Sequence, residues 1–169
     1  MIILLGYMGC GKSSLGNFLS QKHNLSYCDL DTYIEKQENT SIAKIFKTKG
    51  EIYFRKIEHQ HLKTLLEQKK YDVLALGGGT PCYAGNMEVI KQHKTKTFYL
   101  KVDLETLTKR LFLQKSERPL IKDIDSENEL KDFIRKHLFE REFYYRQADV
   151  VIDVSDLTVE KIAKHVLGF

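Results

Sequence analysis

The 169-residue chain contains no tryptophan, only two prolines and no unbroken run of 18 apolar residues. Without such a run we expect no transmembrane span. The three cysteines are odd in number, widely spaced and form no C-x-x-C pair, which excludes a disulfide framework. We therefore expect reduced thiols in a cytoplasmic protein. The start of the chain favours this, because it enters a strand pattern with no basic leader segment.

The chain also lacks a strong excess of either charge. It carries 27 basic and 23 acidic side chains, for a formal net charge of +4. This excess is too small and too dispersed to indicate nucleic-acid binding, but it suits small anionic substrates. Repeats, low-complexity tracts and linkers are missing as well, and 42% of the residues are hydrophobic. Residues 1–169 are therefore predicted to form one globular domain with a sizeable core.

A phosphate-binding signature lies close to the N-terminus. Residues 6–13, GYMGCGKS, fit the pattern G-x-x-x-x-G-K-[ST]. A buried strand pattern precedes them and a helix pattern follows, so backbone N–H groups are predicted to surround phosphate oxygens. Lys12 would reach the β- and γ-phosphates, and the Ser13 hydroxyl would ligate Mg²⁺. A chance match in a glycine-rich turn is the alternative, and the flanking strand and helix argue against it.

Strand and helix patterns alternate along the whole chain. The alternation predicts an α/β fold in which helices cover both faces of a parallel sheet. Ligands of such sheets bind beyond the carboxyl ends of the strands, where the phosphate loop, the Asp29-x-Asp31 pair and the glycines at 77–79 should meet. The five strands are expected at 1–5, 25–28, 72–76, 97–102 and 149–154.

Helix boundaries can be predicted from capping and breaking residues. Ser41 is expected to cap a short helix that Gly50 ends, and a long helix should follow over 51–69. Asn86 is expected to cap a helix that runs to about residue 93. The polar loop over 114–125, which contains Arg118, has the length of a lid.

Asp29 and Asp31 are two residues apart at the end of a strand. Residues with this spacing face the same way in a strand, so both carboxylates could share a Mg²⁺ ion and an acceptor hydroxyl. The alternative is a polar turn in which Asp31 caps the next helix. The phosphate loop on the preceding strand and helix favours the first interpretation.

Glu51, Arg55 and Glu58 fall on one face of the long helix. Spacing alone favours a solvated ladder of ion pairs. Arg55 could instead be a guanidinium that Glu58 holds for binding a carboxylate. The glycines at 77–79 would let a substrate approach the backbone closely, with a flexible turn as the alternative.

The sequence does not decide the roles of two further arginines. In the 114–125 loop, Arg118 could neutralise a phosphoryl group during its transfer. Arg141 lies one helical turn before Tyr145, and spacing does not decide whether it is a ligand or a surface residue.

Together these motifs resemble the shikimate kinase family, within the nucleoside-monophosphate-kinase-like P-loop group. The resemblance covers nearly the whole chain. The phosphate loop is shared by many families, whereas the FRxxE motif followed by GGG is specific to this one. The matching segments, in order, are 6–14, 29–31, 42–46, 50–51, 54–58, 76–80, 118–120 and Arg141 with Tyr145.

The resemblance implies ATP-dependent phosphorylation of the shikimate 3-hydroxyl, in the chorismate pathway to aromatic amino acids. It implies a three-layer α/β/α P-loop kinase fold with a five-stranded parallel sheet of order 2-3-1-4-5. A shikimate-binding region is expected over about 31–60 and a lid over about 112–124. The expected partners are ATP, with Mg²⁺, and shikimate, and the protein is expected to be a monomer without nucleic-acid or membrane partners.

The motifs and the resemblance together assign roles to single residues. Catalysis is expected from Lys12, Asp31 and Arg118, and metal coordination from Ser13, with Asp29 acting through water. ATP binding is expected from Gly9, Cys10, Gly11, Lys12, Ser13, Ser14, Arg110 and Arg118. Shikimate binding is expected from Asp31, Arg55, Glu58, Gly77, Gly78, Gly79 and Arg141.

Two departures from the family concern the ATP side. Cys10 replaces a more usual small residue of the family, and the segment at 153–155, after the last strand, lacks the family's usual proline. The missing proline affects the expected contacts to adenine.

Two other functions would use the same phosphate loop. One is another small-molecule kinase of this fold, such as a gluconate or nucleoside-monophosphate kinase, although no base-binding motif for a nucleotide acceptor is present. The other is a nucleotide-binding regulatory module that has lost catalysis. Lys12, Asp31 and Arg118 are all in place, which argues against it.

Overall fold

A computed structural model describes residues 1–118 and 120–168 of the chain. Helices lie on both faces of a five-stranded sheet in this part of the chain. The strands are β1 (Ile2–Leu5), β2 (Tyr27–Asp29), β3 (Val73–Ala75), β4 (Lys96–Lys101) and β5 (Val150–Asp153). The helices are α1 (Lys12–His23), α2 (Leu30–Glu38), α3 (Ile42–Gln68), α4 (Asn86–Lys91), α5 (Leu104–Leu113), α6 (Glu127–Tyr145) and α7 (Val159–Leu167), with 3₁₀ turns at Thr80–Cys82 and Lys115–Glu117.

The strand order is 2-3-1-4-5, and each pair of neighbouring strands is parallel. β1 is the central strand, with Ile3 opposite Leu74 of β3 on one side and Thr97 of β4 on the other. Ile3, Leu4 and Leu5 are fully buried, because helices cover both faces of a parallel sheet. The predicted three-layer fold and its strand order are confirmed.

The connection from β1 to α1 requires glycine at defined points. Gly6 has a φ of 142°, a conformation that side chains resist, and a Cβ atom there would lie 2.7 Å from the Leu100 carbonyl oxygen. Gly11, with a φ of 100°, precedes the first turn of α1. The glycines of the phosphate motif therefore allow the chain to turn tightly from the central strand into the helix.

β2 ends at Asp29, so Asp31 lies in the first turn of α2 and not in a strand. The Asp29 carboxylate caps this helix by accepting hydrogen bonds from the backbone N–H groups of Asp31 (3.0 Å) and Thr32 (3.2 Å). The expectation that both carboxylates face the same way from one strand is wrong, and so is the alternative that Asp31 is the cap. The short polar side chain at position 29 competes successfully for the free N–H groups of the helix terminus.

The prediction for Gly50 is confirmed, whereas the one for Asn86 is not. Gly50 interrupts α3 with non-helical angles (φ 80°, ψ 173°), and Ser41 caps the helix as expected. The predicted cap at Asn86 is wrong, because Gly85 occupies the capping position and α4 begins at Asn86. The buried Asn86 amide instead donates to the Thr80 carbonyl (2.8 Å) and accepts from His59 (2.8 Å). It thereby fixes the turn that follows β3.

Across residues 1–118 and 120–168, no helix has both the length and the apolar composition needed to cross a membrane.

Asp149 joins the starts of β4 and β5. Its carboxylate accepts from the Thr97 backbone N–H (2.8 Å) and hydroxyl (2.7 Å), and its own N–H donates to the Thr97 hydroxyl oxygen (2.8 Å). The hydrogen bonds from Thr97 hold the pKa of Asp149 below its ordinary value. A carboxyl group whose folded-state pKa is depressed contributes stability above its unfolded-state pKa, and this contribution is lost as the pH falls through the folded-state pKa.

We expect Thr97→Val to lower the free energy of unfolding by about 1–3 kcal/mol at neutral pH, because it removes the hydroxyl from this junction and keeps the side-chain shape. The loss should shrink as the pH falls below the ordinary carboxyl pKa of about 4 and through the lower folded-state pKa of Asp149, because the wild type then also loses the carboxylate. Urea unfolding at several pH values measures both effects. Thr108→Val is the control, because the Thr108 hydroxyl donates to the Leu104 carbonyl. The loss of unfolding free energy in the control should not depend on pH. A loss in Thr97→Val that is equally independent of pH would contradict the prediction.

Candidate active site

A cavity of about 440 Å³ opens at the carboxyl ends of the strands. The three segments predicted to converge there do so: the phosphate loop, the two aspartates after β2 and the glycine turn after β3. The predicted ATP-side residues Gly9, Cys10, Gly11, Lys12, Ser13, Ser14, Arg110 and Arg118 all line the cavity, together with Asp29, Asp31, Gly77 and Gly78. The predicted residues Arg55, Glu58, Gly79 and Arg141 are not part of this lining and lie around the glycine turn at 77–79.

Lys12 lies at the mouth of the phosphate loop. Its ammonium group donates to the carbonyl oxygens of Gly6 (2.8 Å) and Tyr7 (3.1 Å) and lies 3.6 Å from the Cys10 sulfur. The loop also leads directly into the N-terminus of α1, where free backbone N–H groups attract anions. A cation beside these backbone donors makes a site for phosphate oxygens.

Ser13, at the end of the phosphate motif, and Asp29 both place side-chain oxygens in the cavity. The Ser13 hydroxyl donates to the Asp29 carboxylate at 3.3 Å. Within the described residues there is no group of three or more His, Cys, Asp or Glu side chains that could hold a metal ion. Mg²⁺ needs no such cage, since it keeps several waters and binds through one or two protein oxygens and substrate phosphates. Ser13 and Asp29 beside a phosphate site fit that donor set.

Asp31 is a partly buried carboxyl group that lines the cavity. Burial raises its pKa to about 7, with the charges of Asp29 and Glu58 acting in the same direction and those of Lys12 and Arg55 opposing them. A carboxyl group with a pKa near neutrality is suited to accepting a proton from a bound hydroxyl. Its place beside the phosphate loop makes it the candidate base of the site.

Arg55 is held from several sides. Its Nη1 donates to Glu58 Oε2 at 2.9 Å and its Nε to Glu51 Oε1 at 3.3 Å. Glu58 is only 1% exposed, and its other carboxylate oxygen accepts from the Thr80 hydroxyl at 2.7 Å. The arrangement is therefore not a solvated ladder, because the main partner of Arg55 is a buried carboxylate that is also tied to the turn after β3.

Each glycine of the turn lies beside a different polar side chain. A Cβ atom at Gly77 would lie 2.6 Å from Asp31 Oδ1, and one at Gly79 would lie 2.8 Å from Arg55 Nη2. At Gly78 it would lie 3.7 Å from Arg141 Nη1. Side chains at Gly77 or Gly79 would therefore displace the carboxyl group or the guanidinium, so the close approach of these two polar groups accounts for both glycines. The approach of a substrate to this backbone stays a prediction.

Arg141 and Tyr145 reach the same turn from α6. The Tyr145 hydroxyl donates to the Gly78 carbonyl at 2.5 Å. The Arg141 guanidinium lies over the Tyr7 ring, with 5.6 Å between its Cζ and the ring centroid. The question that spacing left open is thus answered in part: Arg141 packs against the phosphate loop and the glycine turn and is not a free surface residue.

Arg110 and Arg118 approach the cavity from the opposite side. Arg110 donates to the Ser155 carbonyl at 3.3 Å, which ties α5 to the segment after β5. Arg118 donates to Gln114 at 3.3 Å, while its buried Nε atom has no partner among the described residues. A buried unpaired donor beside a phosphate loop fits a ligand with acceptor oxygens.

The predicted lid is partly an extension of α5. Its first residues, 112–113, belong to that helix, and a 3₁₀ turn over Lys115–Glu117 follows. Ile121 is 1% exposed and anchors the later part of the segment in the core. Pro119 lies outside the described residues. Whether the segment moves on ligand binding stays a prediction.

Several residues of the site were not found by sequence reasoning. Thr80 and Tyr83 contact the Glu58 carboxylate and the Arg55 guanidinium, respectively. The apolar spacing of α7 indicates a buried helix face, but no local pattern shows that this face reaches a cavity. Besides Val154, which falls in the 153–155 segment named above, the apolar cavity residues that received no role from the sequence are Met8, Leu76, Leu157, Val159 and Ile162.

The phosphate loop follows the central strand of a 2-3-1-4-5 parallel sheet, and a carboxyl group and two arginines surround the adjoining glycine turn. This arrangement defines a small-molecule kinase of the P-loop class. The family model described as shikimate kinase matches residues 8–169. The chain belongs to the shikimate kinase family.

Relatives and solved structures agree with this assignment. The chain is 46% identical to a shikimate kinase of Flavobacterium johnsoniae over 98% of its own length and 96% of the relative's. It is 41% identical to one of Flavobacterium psychrophilum over 96% of both chains. The crystal structure of shikimate kinase from Bacteroides thetaiotaomicron superposes with a TM-score of 0.87 at 33% identity, covering 99% of this chain and 98% of that one. Shikimate kinase from Acinetobacter baumannii, solved in complex with shikimate, gives 0.83 at 32%, covering 98% and 89%.

We expect Glu58→Gln to lower the free energy of unfolding by about 1–3 kcal/mol, because it leaves the Arg55 guanidinium without its buried counter-charge. Glu51→Gln is the matched control. Its carboxylate is 53% exposed, and its loss should cost less than about 1 kcal/mol. Urea unfolding of both variants measures the difference. Equal losses in the free energy of unfolding would show that the buried ion pair stabilises the protein no more than the exposed one.

Proposed function

We propose that this protein transfers the γ-phosphoryl group of ATP to the 3-hydroxyl of shikimate, giving shikimate 3-phosphate and ADP. The observation that carries the proposal is the glycine turn at 77–79, which brings Asp31, Arg55 and Arg141 together beside the phosphate loop. Shikimate has one carboxylate and several hydroxyls. Its carboxylate suits guanidinium forks, and its hydroxyls suit a carboxyl group and backbone donors.

On the donor side, the N–H groups of the phosphate loop and the N-terminus of α1 hold the β- and γ-phosphates. Lys12 exchanges its loop carbonyl partners for phosphate oxygens, and Arg118 uses its unpaired Nε for the phosphoryl group in transfer. Arg110 and the apolar residues after β5 face the adenine. Bound Mg²⁺ supplies positive charge at the phosphates, and we assign Ser13 as its direct ligand and Asp29 as a ligand through water.

On the acceptor side, Arg55 and Arg141 hold the shikimate carboxylate, and the backbone of Gly78 and Gly79 contacts the ring hydroxyls. Asp31 accepts the proton of the shikimate 3-hydroxyl. The oxygen of that hydroxyl forms a bond to the γ-phosphorus, and the bond between this phosphorus and the bridging oxygen of the departing ADP breaks. Phosphoryl transfer of this kind depends mainly on positioning and charge neutralisation.

All groups with an assigned role belong to one chain, so we extend the proposal to a monomeric enzyme. The three cysteines, all in the described part of the chain, are free thiols, which suits the reducing cytoplasm.

A coupled assay of ADP release tests the proposal. Shikimate should support turnover, whereas gluconate and CMP should not. ADP release with gluconate instead would assign the site to a different small-molecule kinase. ATP binding without ADP release for any acceptor would indicate a non-catalytic nucleotide-binding module.

Asp31→Asn should lower kcat by roughly 10²–10⁴-fold while ATP binding is retained, because the amide keeps the shape of the carboxyl group but does not accept the proton. Asp29→Asn should instead raise the Mg²⁺ concentration needed for half-maximal activity. Steady-state kinetics and ATP titration calorimetry separate the two effects. Normal turnover of Asp31→Asn would remove Asp31 from its assigned role.

Arg55→Lys should raise the shikimate KM by roughly 10- to 150-fold, equivalent to about 1.5–3 kcal/mol for a charged hydrogen-bonded pair, because lysine keeps the charge but loses the planar fork. The KM for ATP should change little, since Arg55 lies on the acceptor side. A shikimate analogue with its carboxylate reduced to an alcohol serves as the control and should lose little further affinity in the variant. Equal losses for both acceptors would mean that Arg55 only braces the helix, with Arg141 the next candidate for the carboxylate.

A further inference from the structure

Tyr83 is a large aromatic residue that remains 39% exposed directly after the 3₁₀ turn Thr80–Cys82. The centroid of the Tyr83 ring lies 4.0 Å from Cζ of Arg55, which is stacking distance. The Phe54 ring also lies near this guanidinium, but at 5.1 Å.

The other contacts of Arg55 act at the edge of the guanidinium. Glu58 and Glu51 accept its N–H groups at 2.9 Å and 3.3 Å, and Gly79 leaves room for Nη2. Hydrogen bonds at the edge fix where the group lies, but they leave it able to tilt about the line that joins the two acceptors. A ring stacked on the face opposes this tilt, and a bidentate bond to a carboxylate requires a fixed plane.

The turn that carries Tyr83 is itself firmly held. The Thr80 hydroxyl donates to Glu58 at 2.7 Å, and the Thr80 carbonyl accepts from the buried Asn86 amide at 2.8 Å. The backbone N–H of Asn86 in turn donates to the Tyr83 carbonyl at 3.0 Å. One rigid turn therefore sets both the carboxylate at the edge of Arg55 and the ring on its face.

We propose that Tyr83 is a positioning residue for acceptor recognition: its ring holds the plane of the Arg55 guanidinium in the orientation that binds the substrate carboxylate. The inference rests on the proposed function, because it takes Arg55 to be the partner of that carboxylate. Tyr83 acts through Arg55 and does not touch the substrate, so its contribution depends on both the arginine and the carboxylate being present.

The test compares Tyr83→Leu with Tyr83→Phe. Tyr83→Leu removes the ring and should raise the Kd and KM for shikimate about 2- to 30-fold, equivalent to about 0.5–2 kcal/mol for a cation–π contact. The kcat and the KM for ATP should stay within about twofold, since a contact that acts on substrate and transition state alike changes KM alone. Tyr83→Phe keeps the ring and should behave as the wild type. Both variants should fold normally because the side chain is partly exposed.

Two further arms show whether the effect passes through Arg55. In an Arg55→Met background, Tyr83→Leu should cause no additional loss of shikimate affinity. The alcohol analogue of shikimate should likewise bind wild type and Tyr83→Leu equally. Loss of affinity in either arm would show that Tyr83 touches the substrate directly and would overturn the inference.

Failure of the inference is distinguishable from failure of the proposed function. An active wild type whose Tyr83→Leu variant has an unchanged shikimate KM overturns the positioning role alone. A loss in Tyr83→Phe equal to that in Tyr83→Leu also overturns it, because the ring would then not be the acting group. A wild type that releases no ADP with shikimate overturns both.

Discussion

The acceptor side of this protein depends on one buried carboxylate, that of Glu58. A charge that is 1% exposed is costly to hold unless each of its oxygens has a strong partner, and here one oxygen accepts from Arg55 and the other from Thr80. Arg55 and Glu58 both lie on α3, so the bond from Thr80 is the one that links this helix to the turn after β3. The same carboxylate therefore balances the desolvated guanidinium and determines the distance between the helix that carries Arg55 and the glycines beside it.

The donor side is organised differently, because its groups come from consecutive residues. The phosphate loop and the first turn of α1 lie next to each other in sequence, and their geometry follows from glycines that permit unusual backbone angles and from a helix N-terminus. The two halves meet at Asp31. Its carboxyl group packs against Gly77 on the acceptor side and is affected by the charges of Lys12 and Arg55 from either side.

Local patterns predicted most of the fold and part of the site. The alternation of strands and helices gave the parallel sheet, since each buried strand shows as an apolar run and each helix as an amphipathic one. Capping predictions failed where polar side chains compete for backbone groups. Asp29 caps α2 in place of Asp31, and Gly85 occupies the cap position of α4 while the Asn86 amide binds the Thr80 carbonyl. The outcome of such competition depends on which partner lies close in the folded chain, and the spacing of residues along the sequence does not show this.

The sequence by itself determined the phosphate loop, the class of fold and the family, because those depend on short motifs and on their order along the chain. Only the tertiary structure decided that Arg55 is braced by a buried carboxylate and faced by Tyr83, that Arg141 reaches Gly78, and that α7 lines the cavity. Apart from the Arg55–Glu58 pair, which lies one turn apart on α3, these contacts join residues from different elements, with separations such as the 22 residues between Thr80 and Glu58 and the 67 between Tyr145 and Gly78. Packing against the sheet brings them together, and periodicity within one element cannot encode that proximity.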